Sequence, residues 1–274
     1  MNRARPDRDA PCLLKQADGS KLNCCDLATA FRIACLLVTV WALLSGSAGC
    51  GRSDAGRPKP ADLGIADAKV QAFETAGRPG GPGVIVFAEE TPDSWLPLLS
   101  RWTARGWSGI VLCRRGEGFN PDNASFWEGA AQAAIRRMEQ LGAAAHNIAV
   151  LGEGSFGAFA LSVAVRAPAV QAVVLASPLS AGKPWNPEEV ISGIRDCPTL
   201  VITAENDLLS DTLAGRIKQA APVFSEWRRY QGSSRGGHLL TSNLRAAQEM
   251  EDWLAAIFDA PMPPDAENSR NVDN

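Results

Sequence analysis

The sequence predicts an α/β protein built on a doubly wound, mostly parallel sheet of about six strands flanked by helices. Two observations carry this prediction. Short runs of continuous apolar residues are typical of strands buried on both faces, as in a parallel sheet. Stretches with helical periodicity separate these runs, and such alternation calls for right-handed crossovers. The six runs are Val84–Ala88, Gly109–Cys113, Ile148–Leu151, Ala172–Ala176, Leu200–Thr203 and a weaker Phe224–Tyr230.

The helices are predicted from the spacing of apolar residues between those runs. In the stretch from Ser125 to Leu141, large and small apolar residues recur every three or four positions, which directs one face toward a sheet. The predicted helices are Trp95–Arg105, Ser125–Leu141, Phe156–Arg166, Pro187–Ile194, Ser210–Ala220 and Asn243–Phe258. Because ligands of such sheets bind at the carboxyl ends of the strands, functional residues are expected there.

Composition narrows the range of partners. The chain has 274 residues, of which 46% are hydrophobic, and this is enough for one sizeable core. Lys and Arg (27) nearly balance Asp and Glu (30), and no basic stripe is present, so a nucleic-acid partner is not expected. The seven cysteines form no metal-ligand spacing, and no metal or organic cofactor is predicted. Cys113 and Cys197 adjoin predicted strands and are expected to be buried free thiols.

The N-terminal region has the features of an export signal. Residues Ile33 to Gly51 carry no charge, and the apolar centre Ile33–Leu44 has the length of a signal-peptide core. Basic residues precede it, which favours a cytoplasmic N-terminus. The following Ser47-Ala48-Gly49-Cys50 resembles a bacterial lipobox, with Ser47 where Leu or Val is usual, and the resemblance implies lipidation at Cys50. Ordinary cleavage and an uncleaved anchor helix are the alternatives; each implies export to the periplasmic side of the cell envelope.

Four segments follow from these patterns. Residues 1–50 form the signal segment, and residues 51–65 are polar with Gly and Pro, as expected of a flexible linker. Residues 66–260 form the predicted α/β domain. Residues 261–274 form a polar tail with too little apolar surface to fold.

Three predicted strand ends carry residues suited to nucleophilic catalysis. A glycine-rich turn with Ser155 follows the third run, Asp207 follows the fifth, and His238 lies in a Gly/Ser-rich segment after the sixth. A serine nucleophile needs a base within hydrogen-bond reach, and that base needs a carboxylate that orients it. The second histidine, His146, precedes a strand and is therefore expected at the opposite edge of the sheet.

This order of turn-Ser, Asp and His resembles the α/β-hydrolase family, whose nucleophile elbow reads G-x-S-x-G. The resemblance extends over roughly Val84 to Phe258 and includes SWLPLLSRWTARGWSGIVLCRRGEG, RAPAVQAVVLASP and APVFSEWRRYQGSSRGGHLL. It implies an α/β-hydrolase-like fold in which the segment from Pro178 to Cys197 is too short for a large lid. The implied activity is hydrolysis of a carboxylic ester of a small-molecule acyl substrate.

The resemblance also implies roles for individual residues. His238, oriented by Asp207, would deprotonate Ser155, which would attack the ester carbonyl. The backbone N–H of Phe156 and one near Glu89 would stabilise the oxyanion.

The same segment departs from the family pattern at two points. Glu153 stands where the elbow has its first glycine, and an ungapped alignment from Ile148 puts Gly154 rather than Ser155 in the nucleophile position, whereas Gly157 favours the shifted placement. Glu89 follows the first run, where the family often has His-Gly, and a carboxylate beside a developing oxyanion would raise the barrier. The alternative function is therefore a catalytically inactive lipoprotein of this fold with a binding or envelope role.

A further interpretation uses the same glycines. Gly152, Gly154 and Gly157 match the G-x-G-x-x-G fingerprint of dinucleotide-binding proteins. However, the next strand ends at Ala176-Ser177-Pro178, without the acidic residue that would bind a ribose hydroxyl. Two strand–helix units also precede the motif, whereas the fingerprint usually lies on the first.

Overall fold

The computed structural model describes residues 56–65, 67, 69–89, 91–115, 118–119, 121–182, 185–193 and 197–259. They belong to one compact unit. The predicted signal segment with Cys50 and the predicted tail lie outside the described residues. Within the part of the chain that is described, no helix is both long enough and apolar enough to cross a lipid bilayer.

Eight strands form one sheet in the order β1-β2-β4-β3-β5-β6-β7-β8. The last six correspond to the six predicted runs and pair in parallel, which confirms the doubly wound architecture. The strands are β1 Lys59–Pro60, β2 Val70–Thr75, β3 Gly83–Phe87, β4 Ser108–Arg114, β5 Ile148–Glu153, β6 Val170–Ala176, β7 Thr199–Ala204 and β8 Ser225–Tyr230.

The two additional strands extend one edge of the sheet in antiparallel orientation. β1 lies in the segment predicted as a flexible linker, so ordered structure begins earlier than expected. Glu74 in β2 is almost completely buried, and Arg137 donates two hydrogen bonds to its carboxylate, both at 2.7 Å. Lys59 of β1 lies 3.5 Å from the same carboxylate. Arg137 and Lys59 thus offset the cost of burying the Glu74 charge. The presence of this charge within the strand made β2 difficult to predict.

Helices cover both faces of the sheet. The described helices are α1 Leu96–Ala104, α2 Ala124–Gln140, α3 Phe156–Arg166, α4 Pro187–Ser192, α5 Leu208–Ala220, α6 Gly236–Ser242 and α7 Leu244–Phe258. Helices α2, α3, α4 and α5 pack on one face, and α1, α6 and α7 pack on the other. Between β6 and β7, α4 is the single helix among the described residues, which agrees with a minimal lid.

The core contains the residues expected there. The tryptophans Trp95, Trp102, Trp107 and Trp127 are buried in it. Cys113 and Cys197 are buried free thiols, as predicted. Burial raises the pKa of the Cys113 thiol to about 11 and that of Cys197 to about 12, so both remain protonated near neutral pH.

The strand order places one crevice at the carboxyl edge of the sheet. The chain passes from β3 to β4 on one side, and then to β5 on the other side of β3. Such a topological switch point is where doubly wound sheets bind ligands. The residues that leave β3 and β5 at this point are Glu89 and Glu153.

Candidate functional site

Glu153, the last residue of β5, joins three segments at the carboxyl edge of the sheet. Its Oε2 atom accepts hydrogen bonds from the Glu89 backbone N–H at 3.1 Å and from the Trp95 indole N–H at 2.9 Å. Its Oε1 atom accepts one from the Gly237 backbone N–H at 2.9 Å. Burial raises the pKa of the Glu153 carboxyl, against the opposing effect of these donors. Glu153 is thus a half-buried carboxylate in the wall of the cleft.

Gly154 occupies the apex of the turn between β5 and α3. Its φ is +56°, a left-handed conformation that favours glycine. A Cβ atom at this position would overlap the Glu89 carboxylate. The turn therefore agrees with the ungapped alignment, which puts Gly154 in the nucleophile position. The Glu89 carboxylate occupies the space into which a nucleophilic side chain would project.

Ser155 directly precedes α3 and is not at the apex. Its hydroxyl oxygen accepts a hydrogen bond from the Phe119 backbone N–H at 3.0 Å and lies against Gly118, where an added Cβ would be 2.8 Å away. The hydroxyl makes no cap bond to the helix. The hydroxyl of Ser155 is therefore bound to the loop after β4, and no hydrogen bond connects it to His238.

The two backbone donors nearest the apex are already used. The Glu89 N–H donates to Glu153, and the Ser155 N–H donates to Glu89 Oε1 at 3.3 Å. With Gly154 at the apex, the N–H that follows it belongs to Ser155, so the predicted pairing of Phe156 with a donor near Glu89 does not describe this turn. Carboxylates of the chain itself occupy the donors on which an oxyanion would depend.

Asp207 caps α5 and bonds to Arg235. The Arg235 Nε atom donates to Asp207 Oδ2 at 2.7 Å, and the Ser210 backbone N–H donates to Oδ1 at 3.5 Å. Arg235 also reaches the Ser210 hydroxyl at 3.3 Å. Asp207 thus has an arginine, and not His238, as its basic partner.

His238 lies in α6, where the sequence predicts a loop, and its side chain is exposed. The hydrogen bonds of the described residues involve its backbone carbonyl and not its imidazole. Ser155, Asp207 and His238 lie at the same edge of the sheet, as predicted, but the hydrogen bonds of a catalytic triad do not connect them.

A polar cleft of about 230 Å³ opens beside the apex. Ser94 and Ser177 line it, and both residues are buried. Ser177 has φ of +50°, and is the one described residue other than glycine with a positive φ. The complete lining comprises Glu89, Thr91, Ser94, Glu153, Gly154, Ser177, Arg235, Gly236 and His238.

The geometry of the turn and cleft also bears on dinucleotides and metal ions as ligands. A pyrophosphate approaching Gly154 would meet the Glu89 carboxylate, an anion, so the glycine fingerprint does not form an open phosphate cradle here. Among the described residues, no group of three or more His, Cys, Asp or Glu side chains is arranged to hold a metal ion.

Sequence reasoning missed five residues of the cleft, Thr91, Ser94, Ser177, Arg235 and Gly236. Ser94 and Ser177 adjoin ends of strands or helices without forming a motif. Arg235 stands three residues before His238 in the same glycine-rich segment, and this proximity was the available signal for a competing partner of Asp207.

Comparison with known proteins identifies the fold. No family model matches the chain, and no curated protein matches it in sequence. Solved structures do match. A candidate dienelactone hydrolase from Klebsiella pneumoniae has a TM-score of 0.57 at 15% identity, covering 74% of this chain and 98% of that one. The esterase Est2 from Thermogutta terrifontis, with butyrate bound, has a TM-score of 0.57 at 13% identity, covering 76% and 97%.

A third similar structure is MGS-M1, an α/β-hydrolase enzyme from a Medee basin deep-sea metagenome library. Its TM-score is 0.56 at 16% identity, and the match covers 74% of this chain and 98% of that one. The three matches span nearly the whole of each neighbour, so the common architecture is complete rather than local. The chain has the α/β-hydrolase fold.

Proposed function

We propose that this chain is an α/β-hydrolase-fold protein that binds a small polar ligand in the cleft beside Gly154 and does not carry out serine acyl transfer. The observation that carries the proposal is the position of the Glu89 carboxylate, which fills the space above the glycine at the apex of the turn. This is the binding role that the departures in the sequence already suggested.

The loss of catalysis follows from two requirements of acyl transfer. A nucleophile must project from the turn toward the substrate, and Gly154 has no side chain. Unoccupied donors must then receive the oxyanion, but the N–H groups of Glu89 and Ser155 both donate to carboxylates of the chain. An oxyanion at this point would also lie beside the charge of Glu89, which raises the barrier.

A binding role is supported by the cleft itself. It lies at the topological switch point, and it contains buried polar groups rather than a collapsed apolar interior. Polar groups convergent on a concave site are the usual features of ligand recognition.

We also propose that the protein acts at the cell envelope. The apolar N-terminal segment and the lipobox-like Ser47–Cys50 support export and anchoring through Cys50. A lipidated Cys50 would leave a short tether before β1.

Ester hydrolysis through Ser155, Asp207 and His238 is the second candidate function. It is supported by the esterases among the structural neighbours and by His238, which lines the cleft with its imidazole free of hydrogen bonds to the described residues. It requires Ser155 to leave the Phe119 N–H and Asp207 to exchange Arg235 for His238.

A fluorophosphonate probe and p-nitrophenyl acetate distinguish the two candidates. The Thermogutta terrifontis esterase 2, which has been seen phosphorylated by paraoxon, is the positive control. We expect the folded chain to remain unlabelled and the acetate to be hydrolysed no faster than by Ser155→Ala. Stoichiometric labelling at Ser155, lost in Ser155→Ala and His238→Ala but kept in the exposed-helix control Ser125→Ala, would establish the hydrolase instead.

A further inference from the structure

Ser94 is a nearly buried residue that lines the cleft. The residue is 8% exposed, and its side chain makes no hydrogen bond to any described residue. It lines the cleft and lies so close to Gly237 that a Cβ there would overlap its oxygen. The hydroxyl therefore lies at the surface of the cleft, where it is available to a ligand as donor or acceptor.

Ser177 provides a second hydroxyl in the same wall. It is 1% exposed and accepts a hydrogen bond from the Gly236 backbone N–H at 3.0 Å. Its left-handed backbone is strained for a residue with a Cβ, and such strain concentrates at ligand sites. One lone pair of its oxygen remains available, because a hydroxyl has two.

The third available acceptor is a carboxylate oxygen of Glu89. Oε1 accepts the Ser155 N–H, while Oε2 has no hydrogen-bond partner among the described residues. This oxygen lies over Gly154 and faces the cleft. The free groups of the inner wall therefore include one anionic acceptor and two hydroxyls, each of which can accept or donate.

The charges around the cleft also favour a cationic ligand over an anionic one. Glu89 and Glu153 contribute carboxylates, and Arg235, an arginine among the described lining residues, forms an ion pair with Asp207 at 2.7 Å. An anionic ligand would meet the carboxylates directly, whereas a cation is attracted to them.

We propose that the cleft binds the ammonium group of a small primary amine, which donates hydrogen bonds to Glu89 Oε2 and to the Ser94 hydroxyl, with Ser177 as third acceptor. This ligand class rests on the proposed binding function. An ammonium carries three donors and no acceptor, so it can pair with one anionic oxygen and with hydroxyls that act as acceptors in the same cleft. A volume of about 230 Å³ accommodates an amine well below the size of a drug-like molecule.

Ethanolamine, ethylene glycol and glycolate test this proposal because they have nearly the same size but are cationic, neutral and anionic. Each is titrated into the folded chain, and backbone amide chemical shifts are followed at Glu89, Ser94 and Ser177. We expect saturable shifts with ethanolamine alone. Glu89→Gln should weaken binding by about 10-fold or more and Ser94→Ala by about 3- to 10-fold, as for charged and neutral hydrogen bonds.

Two control variants accompany this titration, and three outcomes would contradict the proposal. Glu139→Gln and Ser125→Ala change exposed residues of α2 and should bind ethanolamine like the parent chain. Equal binding of ethylene glycol or glycolate, equal competition by sodium ions, or absence of ethanolamine binding would overturn the ammonium assignment. Labelling of Ser155 by the fluorophosphonate would instead overturn the binding function, so the two failures are distinguishable.

Discussion

The carboxylate of Glu89 lies where a side chain on Gly154 would begin. The two residues come from adjacent parallel strands, β3 and β5, whose register brings Phe87 beside Gly152. Glycine is thus required at position 154 for two reasons. Its φ is +56°, and the Glu89 carboxylate leaves no space for a Cβ atom. The relationship makes positions 89 and 154 dependent on each other.

Gly154→Ala should lower the free energy of unfolding more than Gly80→Ala does. Gly80 also has a positive φ, of +74°, but nothing lies within 4 Å of an added Cβ there, so that variant measures the backbone strain alone. We expect about 1–3 kcal/mol for strain, and a further loss at Gly154 from overlap with Glu89. In the double variant with Glu89→Ala, the overlap disappears, and urea unfolding should give a coupling energy of about 1–3 kcal/mol. Additive effects would contradict the geometry.

Glu153→Gln should destabilise the fold, because an amide replaces one of the two oxygens that accept three donors. We expect a loss of about 2–4 kcal/mol in urea unfolding. The loss should depend on pH. The raised pKa of Glu153 means that the folded chain holds this proton more tightly than the unfolded chain does, so parent stability falls as pH rises above 4.5, the ordinary value.

The stability difference between the parent and Glu153→Gln should accordingly be smaller at about pH 7.5 than at about pH 5. Glu139→Gln, on the exposed surface of α2, is the control and should show no such change. A difference that grows with pH would mean that the three donors outweigh burial.

Asp207 should be coupled energetically to Arg235 and not to His238. Removing Arg235 leaves the nearly buried Asp207 carboxylate with only the Ser210 backbone donor, so Arg235→Ala should cost about 1–3 kcal/mol. Double-mutant cycles with Asp207→Asn should give a coupling of about 0.5–3 kcal/mol for Arg235 and close to zero for His238→Ala. A sizeable coupling energy between Asp207 and His238 would instead support a catalytic triad.

The thiols of Cys113 and Cys197 should resist modification in the folded chain. With pKa values raised to about 11 and about 12 and both residues buried, neither supplies thiolate at about pH 8. Alkylation followed by peptide mass mapping should leave both unmodified until denaturant is added. Rapid alkylation of Cys197 in the native chain would show that the loop before β7 opens locally.

The main architecture could be predicted because hydrophobic periodicity depends on burial alone. Five of the six parallel strands are apolar on both faces, whereas β8 carries charged residues and gives a weaker signal. The helices carry one apolar stripe, so local sequence is sufficient for most of the architecture. β2 was missed because its burial depends on distant partners: Glu74 becomes tolerable in a strand only when Arg137 and Lys59 are brought to it. No local pattern encodes that arrangement.

The site was predictable in position but not in detail. Strand ends at a switch point directed attention to Glu89, Asp207 and the turn at residues 153–157, and these do lie at one edge of the sheet. Which of Gly154 and Ser155 occupies the apex depends on a single backbone angle, and each placement fits the family pattern on one side only, through Gly152 or Gly157. The choice of Arg235 over His238 likewise depends on how α6 begins, and a helix so short has a weak periodic signal.

Because Glu89 is covalently part of the chain, it competes with every dissolved anion for the Ser155 N–H. A tethered group acts at an effective concentration in the millimolar range or above. Free acetate or a released carboxylic acid is repelled by the same charge and would have to displace the Glu89 carboxylate from the Ser155 N–H. The Glu89 carboxylate therefore blocks the binding of free carboxylates at this N–H.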